Sequence, residues 1–168
     1  MTDHSASIAR SVAALATLLL ERHAMLATAE SCTGGLIAGA CTDLAGSSAW
    51  FERGFVTYSN AAKHELLGVP LATIASHGAV SEPVARAMAE GALRHAPVQA
   101  SVAVTGVAGP TGGSAAKPVG TVWFGWCAGG GTHTACRHFA GDRIAVRRQT
   151  VAFALSELDR LLRQVRAE

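Results

Sequence analysis

The chain has 168 residues, 49% of them apolar, and a formal net charge of +2. That length favours one domain with one core, expected to span residues 1–168. So small a charge, with no basic run and no basic–aromatic face, argues against nucleic acid as the main partner.

Ile8, Val12, Leu15 and Leu19 recur at helical spacing, which predicts an amphipathic helix over 5–22. Its apolar run, 12–20, is too short to cross a membrane. It has no basic segment before it and no cleavage-like site after it, so no signal peptide is expected. Residues 24–29 read as a short buried strand, and Gly34 and Gly35 open a small-residue helix to about residue 45. A second strand is expected over 53–58. Asn60 is placed to cap a helix ending near Leu67, with Gly68 and Pro70 as stop signals. Ser81 caps a further helix to about His95, with proline in its first turn. Residues 100–105 form a buried strand, and 106–120 a glycine-rich loop. Strands over 120–127 and 132–139 make a hairpin through glycines 129–131. Asp142 caps a long last helix with a stripe of Ile144, Val151, Leu155, Leu158, Leu162 and Val165. A stripe of this kind is core, or in its exposed part a subunit contact. About five strands and five helices in mostly alternating order predict an α/β fold, a three-layer α/β/α sandwich over a mixed sheet.

The seven histidines (His4, His23, His64, His77, His95, His133, His138) show no metal-ligand spacing. The four cysteines (Cys32, Cys41, Cys127, Cys136) contain no CxxC pair. Neither zinc nor a disulfide framework is called for, and reduced thiols in the cytoplasm are expected. Twelve arginines stand against two lysines, Lys63 and Lys117. The two cations are not interchangeable where a proton must be shuttled.

Residues 28–35, TAESCTGG, place Ser31 and Cys32 between a strand and a glycine-opened helix. Strand ends of α/β sheets hold ligands, and free backbone N–H groups there are ready oxyanion donors. The alternative is a plain serine helix cap. Cys32 at that position could itself be nucleophilic, or it could be a small buried filler. Lys63 sits in the first turn of its helix, where the macrodipole opposes a cation and favours the neutral amine, a general base. A solvated surface lysine is the other reading. Tyr58, the only tyrosine, lies five residues earlier and could orient or relay to Lys63. The loop 106–120 is neither a P-loop nor a dinucleotide fingerprint, but its backbone could still wrap a ligand. Thr105, at the preceding strand end, would share an edge with Ser31 if the two strands are parallel neighbours. Arg143 and Arg147 open the last helix, where a phosphate or carboxylate would suit them.

The stretches TAESCTGG, GSSAWFERGFVTYSNAAK, LLGV, HGAVSEPVA, VTGVAGPTGG, KPVGTV and GDR-x-x-VRRQT resemble the CinA C-terminal domain family in order and over residues 5–165. The absence of the N-terminal domain that longer CinA proteins carry leads to the expectation of its standalone branch, the nicotinamide-nucleotide amidases. The resemblance implies a small-molecule pyridine nucleotide substrate and homo-oligomers; with the low charge and short apolar run, no nucleic-acid or membrane partner is expected, and the mechanism calls for no cofactor. It places the nucleophile at Ser31, the general base at Lys63, and supporting roles at Tyr58 and Thr105. Cys32, Thr33 and Gly34 are expected to supply oxyanion N–H groups. Gly106, Gly109, Gly112 and Gly113, with Arg143 or Arg147, are expected to hold the substrate. The competing expectation is a non-enzymatic nucleotide-binding module linked to competence or DNA damage.

Overall fold

The computed structural model describes residues 4–165. Helix α1 (His4–Glu21) leads into strand β1 (Leu26–Glu30), helix α2 (Leu36–Thr42), a 3-10 turn (Ser47–Ala49) and strand β2 (Phe51–Val56). Helices α3 (Asn60–Leu67), α4 (Leu71–His77) and α5 (Glu82–Arg94) follow. The chain ends with β3 (Ala100–Gly106), the hairpin β4 (Thr121–Ala128) and β5 (Gly131–His138), and α6 (Arg143–Gln164). The strands form one sheet in the order β2-β1-β3-β4-β5. β1 is parallel to β2 and to β3, and the β3–β4 and β4–β5 pairs are antiparallel. This is the mixed five-stranded sheet in a three-layer α/β/α sandwich that the alternating pattern predicts.

Both faces of the sheet are covered, so the central strands are buried nearly throughout, polar Thr28 and Glu30 of β1 included. β1 shows this in five residues: Leu26 joins one core cluster, and Ala27 and Ala29 join the other. The first cluster takes Val12, Leu15 and Leu19 from α1, Ile37 from α2, and Leu155 and Leu158 from α6. The second takes Leu67, Ile74, Val84 and Met88 from α3, α4 and α5. Gly125 of β4 lets α5 lie close, because a Cβ there would meet the Ala85 carbonyl oxygen at 2.5 Å. The β4–β5 turn needs left-handed backbone at both central residues, and Gly129 and Gly130 supply it with φ of 60° and 79°.

Four local readings are corrected. Ser59, not Asn60, caps α3: its Oγ accepts from the Ala62 N–H at 3.0 Å. Ser81 precedes α5 but makes no capping bond and donates to the Gly78 carbonyl instead. Helix α4 has no counterpart in the sequence reading. It has seven residues and buries only Ile74, so it carries no apolar stripe. In α6 the core stripe is Val146, Val151, Ala154, Leu155, Leu158, Leu161 and Leu162, while Ile144 stands 59% exposed.

The chain leaves β1 for β2 on one side and returns through α3–α5 to β3 on the other. The C-terminal ends of β1 and β3 therefore flank a topological switch point, where open α/β sheets leave a crevice. No helix among the described residues is long and apolar enough to cross a membrane.

Candidate active site

Ser31 follows the last residue of β1, Glu30, at that switch point. Its N–H donates to the Val104 carbonyl of β3 at 3.1 Å, which continues the parallel ladder one step past the strand. Its side chain is buried. It does not cap α2. That task falls to Glu30, whose carboxylate accepts from the N–H groups of Gly35 (3.1 Å), Ile37 (3.0 Å) and Ala38 (2.8 Å), and from Thr33 Oγ1 (2.5 Å). Orphan N–H groups at a helix start need such acceptors, and a negative charge suits the dipole there. The start of α2 is thus satisfied by the chain's own carboxylate and is not an open anion site. Sequence reasoning missed this role for Glu30. The available signal was an acid closing a short buried strand just ahead of a glycine-opened helix.

Lys63 Nζ lies 3.0 Å from Ser31 Oγ, although Lys63 is only 1% exposed. It donates to the backbone carbonyls of Thr57 at 3.0 Å and Tyr58 at 3.3 Å. No carboxylate among the described residues pairs with it. Burial disfavours the ammonium and holds the Lys63 pKa below its ordinary value of 10.5. A neutral amine has two N–H groups and one lone pair. The two carbonyls take the N–H groups, and the lone pair is left to face the Ser31 hydroxyl.

Cys32 is also buried, and this pushes its thiol up to about 11. Burial outweighs the lowering influence of its own backbone N–H and of the nearby cations Arg147 and Lys63, so the thiol is not a ready nucleophile. Of the turn's N–H groups, Gly34 donates to the Ser31 carbonyl at 3.1 Å. Gly34 is therefore not available as an oxyanion donor. The Cys32 N–H has no protein oxygen acceptor among the described residues, and Cys32 borders the cavity beside Ser31.

That cavity, about 370 Å³, is bordered by Ser31, Cys32, Tyr58, Asn60, Lys63 and Thr105, by the loop residues Gly106, Gly109 and Gly112, and by Arg143. Thr105 is buried at the end of β3, parallel to β1, and its Oγ1 donates to the Ala79 carbonyl at 2.8 Å. Tyr58 is 61% exposed. Its backbone carbonyl meets Lys63, whereas its hydroxyl accepts from Arg143 at 3.0 Å. The Tyr58 hydroxyl is thus directed away from the relay to Lys63 that its sequence position suggests. Arg143 also donates to the Gly109 carbonyl at 2.8 Å, tying the glycine-rich loop to the rim. Thr33, Gly34, Gly113 and Arg147 lie off the cavity wall. Arg147 is spent on the Ser31 turn: its Nε donates to the Cys32 carbonyl and its second guanidinium nitrogen to the Thr33 carbonyl, both at 3.1 Å. Lys117 donates to the His77 carbonyl at 2.7 Å, fastening the loop to the last turn of α4.

The model of the CinA C-terminal domain matches residues 8–162. The chain belongs to the CinA C-terminal domain family. Among curated members, it is 63% identical over 128 residues to the nicotinamide-nucleotide amidohydrolase PncC of Enterobacter agglomerans, covering 76% of this chain and 78% of that one. It is 57% identical over 141 residues to the PncC of Escherichia coli strain K12, covering 83% and 86%. Among solved CinA-type structures, the competence/damage inducible protein CihA of Agrobacterium tumefaciens superposes with a TM-score of 0.90 at 46% identity. It covers 92% of this chain and 95% of its own. The competence damage-inducible protein A of Klebsiella pneumoniae gives 0.91 at 40%, covering 95% and 99%.

Proposed function

We propose that this protein hydrolyses the carboxamide of nicotinamide mononucleotide to nicotinic acid mononucleotide and ammonia, in recycling of pyridine nucleotides. The observation that carries the reading is the buried Lys63 amine set 3.0 Å from Ser31 Oγ with two carbonyls on its N–H groups. The PncC relatives, named for that reaction, support the substrate.

Neutral Lys63 accepts the Ser31 proton as Oγ bonds to the amide carbon. The carbonyl oxygen takes the negative charge, with the Cys32 N–H as donor. One such donor is typically worth about 3 kcal/mol in the transition state. The tetrahedral adduct collapses as the C–N bond breaks, and the Lys63 ammonium gives its proton to the leaving amide nitrogen, which departs as ammonia. Water then attacks the nicotinoyl ester with Lys63 again as base, and Ser31 recovers its proton. This sequence asks for no metal and no organic cofactor.

In this reading Arg143, which borders the cavity, receives the ribose phosphate, and the loop through Gly106, Gly109 and Gly112 supplies a backbone cradle. Thr105 helps shape the wall beside Ser31. Binding through a remote phosphate orients the amide, so free nicotinamide is expected to turn over far more slowly than the nucleotide. Assembly as a homo-oligomer belongs to the same reading, since Ile144 and Val119 leave apolar surface 59% and 39% exposed near the cavity. Ammonia release by the purified chain, with the nucleotide and with free nicotinamide, tests the reading. Equal rates on the two would remove the role given to the phosphate.

A further inference from the structure

The Ser31 turn contains a chain of hydrogen bonds that begins on α6. Arg147 donates to the Thr33 carbonyl at 3.1 Å. That carbonyl shares a peptide group with the Gly34 N–H, which donates to the Ser31 carbonyl at 3.1 Å. The Ser31 carbonyl in turn shares a peptide group with the Cys32 N–H. A trans peptide points its N–H away from its C=O. The Cys32 N–H is therefore the free end of a line that starts on a guanidinium and passes through two peptides. Hydrogen bonds in such a series polarise one another, most of all when a charged donor heads them. Arg147 Nε also holds the Cys32 carbonyl at 3.1 Å, so the turn is gripped at two successive carbonyls.

We propose that Arg147 is a positioning residue that orients and polarises the Ser31–Cys32 peptide, strengthening its N–H as the oxyanion donor. It does so without touching the substrate. The inference rests on the reading of Ser31 as the nucleophile. Two observations carry it beyond ordinary packing. Arg147 is half-buried, borders no part of the cavity, and has both donating nitrogens on this one turn. The opposite side of the turn is already fixed by Glu30, which holds the Thr33 hydroxyl and the N–H groups beyond. What Arg147 adds is therefore charge and alignment on the carbonyl side, where Glu30 has no contact.

The test compares Arg147→Met and Arg147→Lys with the unsubstituted chain on nicotinamide mononucleotide and on its dephosphorylated nucleoside. Arg147→Met is expected to lower kcat about tenfold, part of the hundredfold that loss of a whole oxyanion donor typically costs. KM should stay unchanged, and the fold loss should be the same on nucleotide and nucleoside. Arg147→Lys, with one charged donor left for the Thr33 carbonyl, should recover part of the loss. A rise in KM confined to the nucleotide would mean that Arg147 binds the phosphate and would overturn the proposal. A second readout does not depend on the substrate. A fluorophosphonate labels Ser31 as an Oγ–P bond forms, fluoride leaves and Lys63 takes the hydroxyl proton. Arg147→Met should slow that labelling by a similar factor with an unchanged circular dichroism spectrum. A labelled parent chain whose variant is labelled equally fast overturns this inference alone. A parent chain that is not labelled and releases no ammonia overturns the reading of the site, and this inference with it. Should Arg147→Met fail to fold, Arg147→Lys carries the comparison: a kcat and labelling rate equal to the parent's would overturn the proposal.

Discussion

Ser31 and Lys63 stand 32 positions apart in the chain, yet Oγ and Nζ are 3.0 Å apart. The parallel β1–β2 pairing brings the two segments together: Ser31 follows β1, and the chain beyond β2 turns at Thr57 and Tyr58 into α3. The carbonyls of that turn hold the amine against the hydroxyl. Burial lowers the Lys63 pKa and so favours the neutral amine, the form that the proposed role as base requires.

The pH profile of kcat/KM should follow this amine. Only neutral Lys63 can accept the Ser31 proton, so activity should rise with pH and level off once Lys63 is neutral. Burial places that inflection below 10.5, the ordinary lysine value. A profile still climbing past pH 10.5 would mean that Lys63 is not perturbed in the free enzyme.

The same burial carries a stability cost with a definite sign. Below the folded-state pKa both folded and unfolded chains hold the Lys63 proton, and the folded state bears the full cost of a buried charge. Above 10.5 neither holds it and the cost vanishes, so the group's contribution to stability improves as pH rises through that window. Lys63→Met should therefore raise Tm at neutral pH, by about 1 kcal/mol in stability, as substitutions that relieve a strained functional site often do. The gain should shrink toward pH 10.5. Thermal melts of both chains across pH check it. A variant less stable than the parent at neutral pH would contradict it.

Cys32 is expected to be chemically quiet. Burial pushes its thiol up to about 11, so almost none is thiolate at neutral pH. Iodoacetamide at pH 7.5 should leave ammonia release intact, and Cys32→Ala should keep activity within a few fold. Rapid inactivation protected by substrate would instead favour a thiol mechanism.

Glu30 is the acid at the hub of the turn. Glu30→Ala would strip four donors of their acceptor, three of them at the start of α2. A loss of about 3 kcal/mol is expected, or roughly 10 °C in Tm for a domain of this size. Glu30→Gln keeps a carbonyl acceptor and should fall between. Calorimetry distinguishes this from a surface role, in which both variants would melt with the parent.

The architecture was legible from the sequence because it follows from apolar runs and glycine punctuation. β1, β3 and β4 are short, mostly apolar stretches, β5 follows β4 through a run of glycines, and α1 and α6 carry long stripes. Helix α4 was not legible because it buries one residue and has no period to detect. At the site, Ser31, Lys63, Thr105 and Arg143 were singled out in the sequence, and the fold brings them to one cavity. The partners of the polar groups were hidden, since they depend on backbone direction. Tyr58 contributes its carbonyl to Lys63 while its hydroxyl meets Arg143. Arg147 serves two carbonyls that no residue pattern could point to. Glu30 stood in the quoted motif, but its task depends on where α2 begins.

Ammonia release from nicotinamide mononucleotide by the parent chain, Ser31→Ala and Lys63→Ala tests the central claim most directly. Release by the parent chain is expected, with a loss of at least about a thousandfold in each variant, since nucleophile and base act as one unit. A Ser31→Ala chain that retained most of the parent's rate would contradict the account.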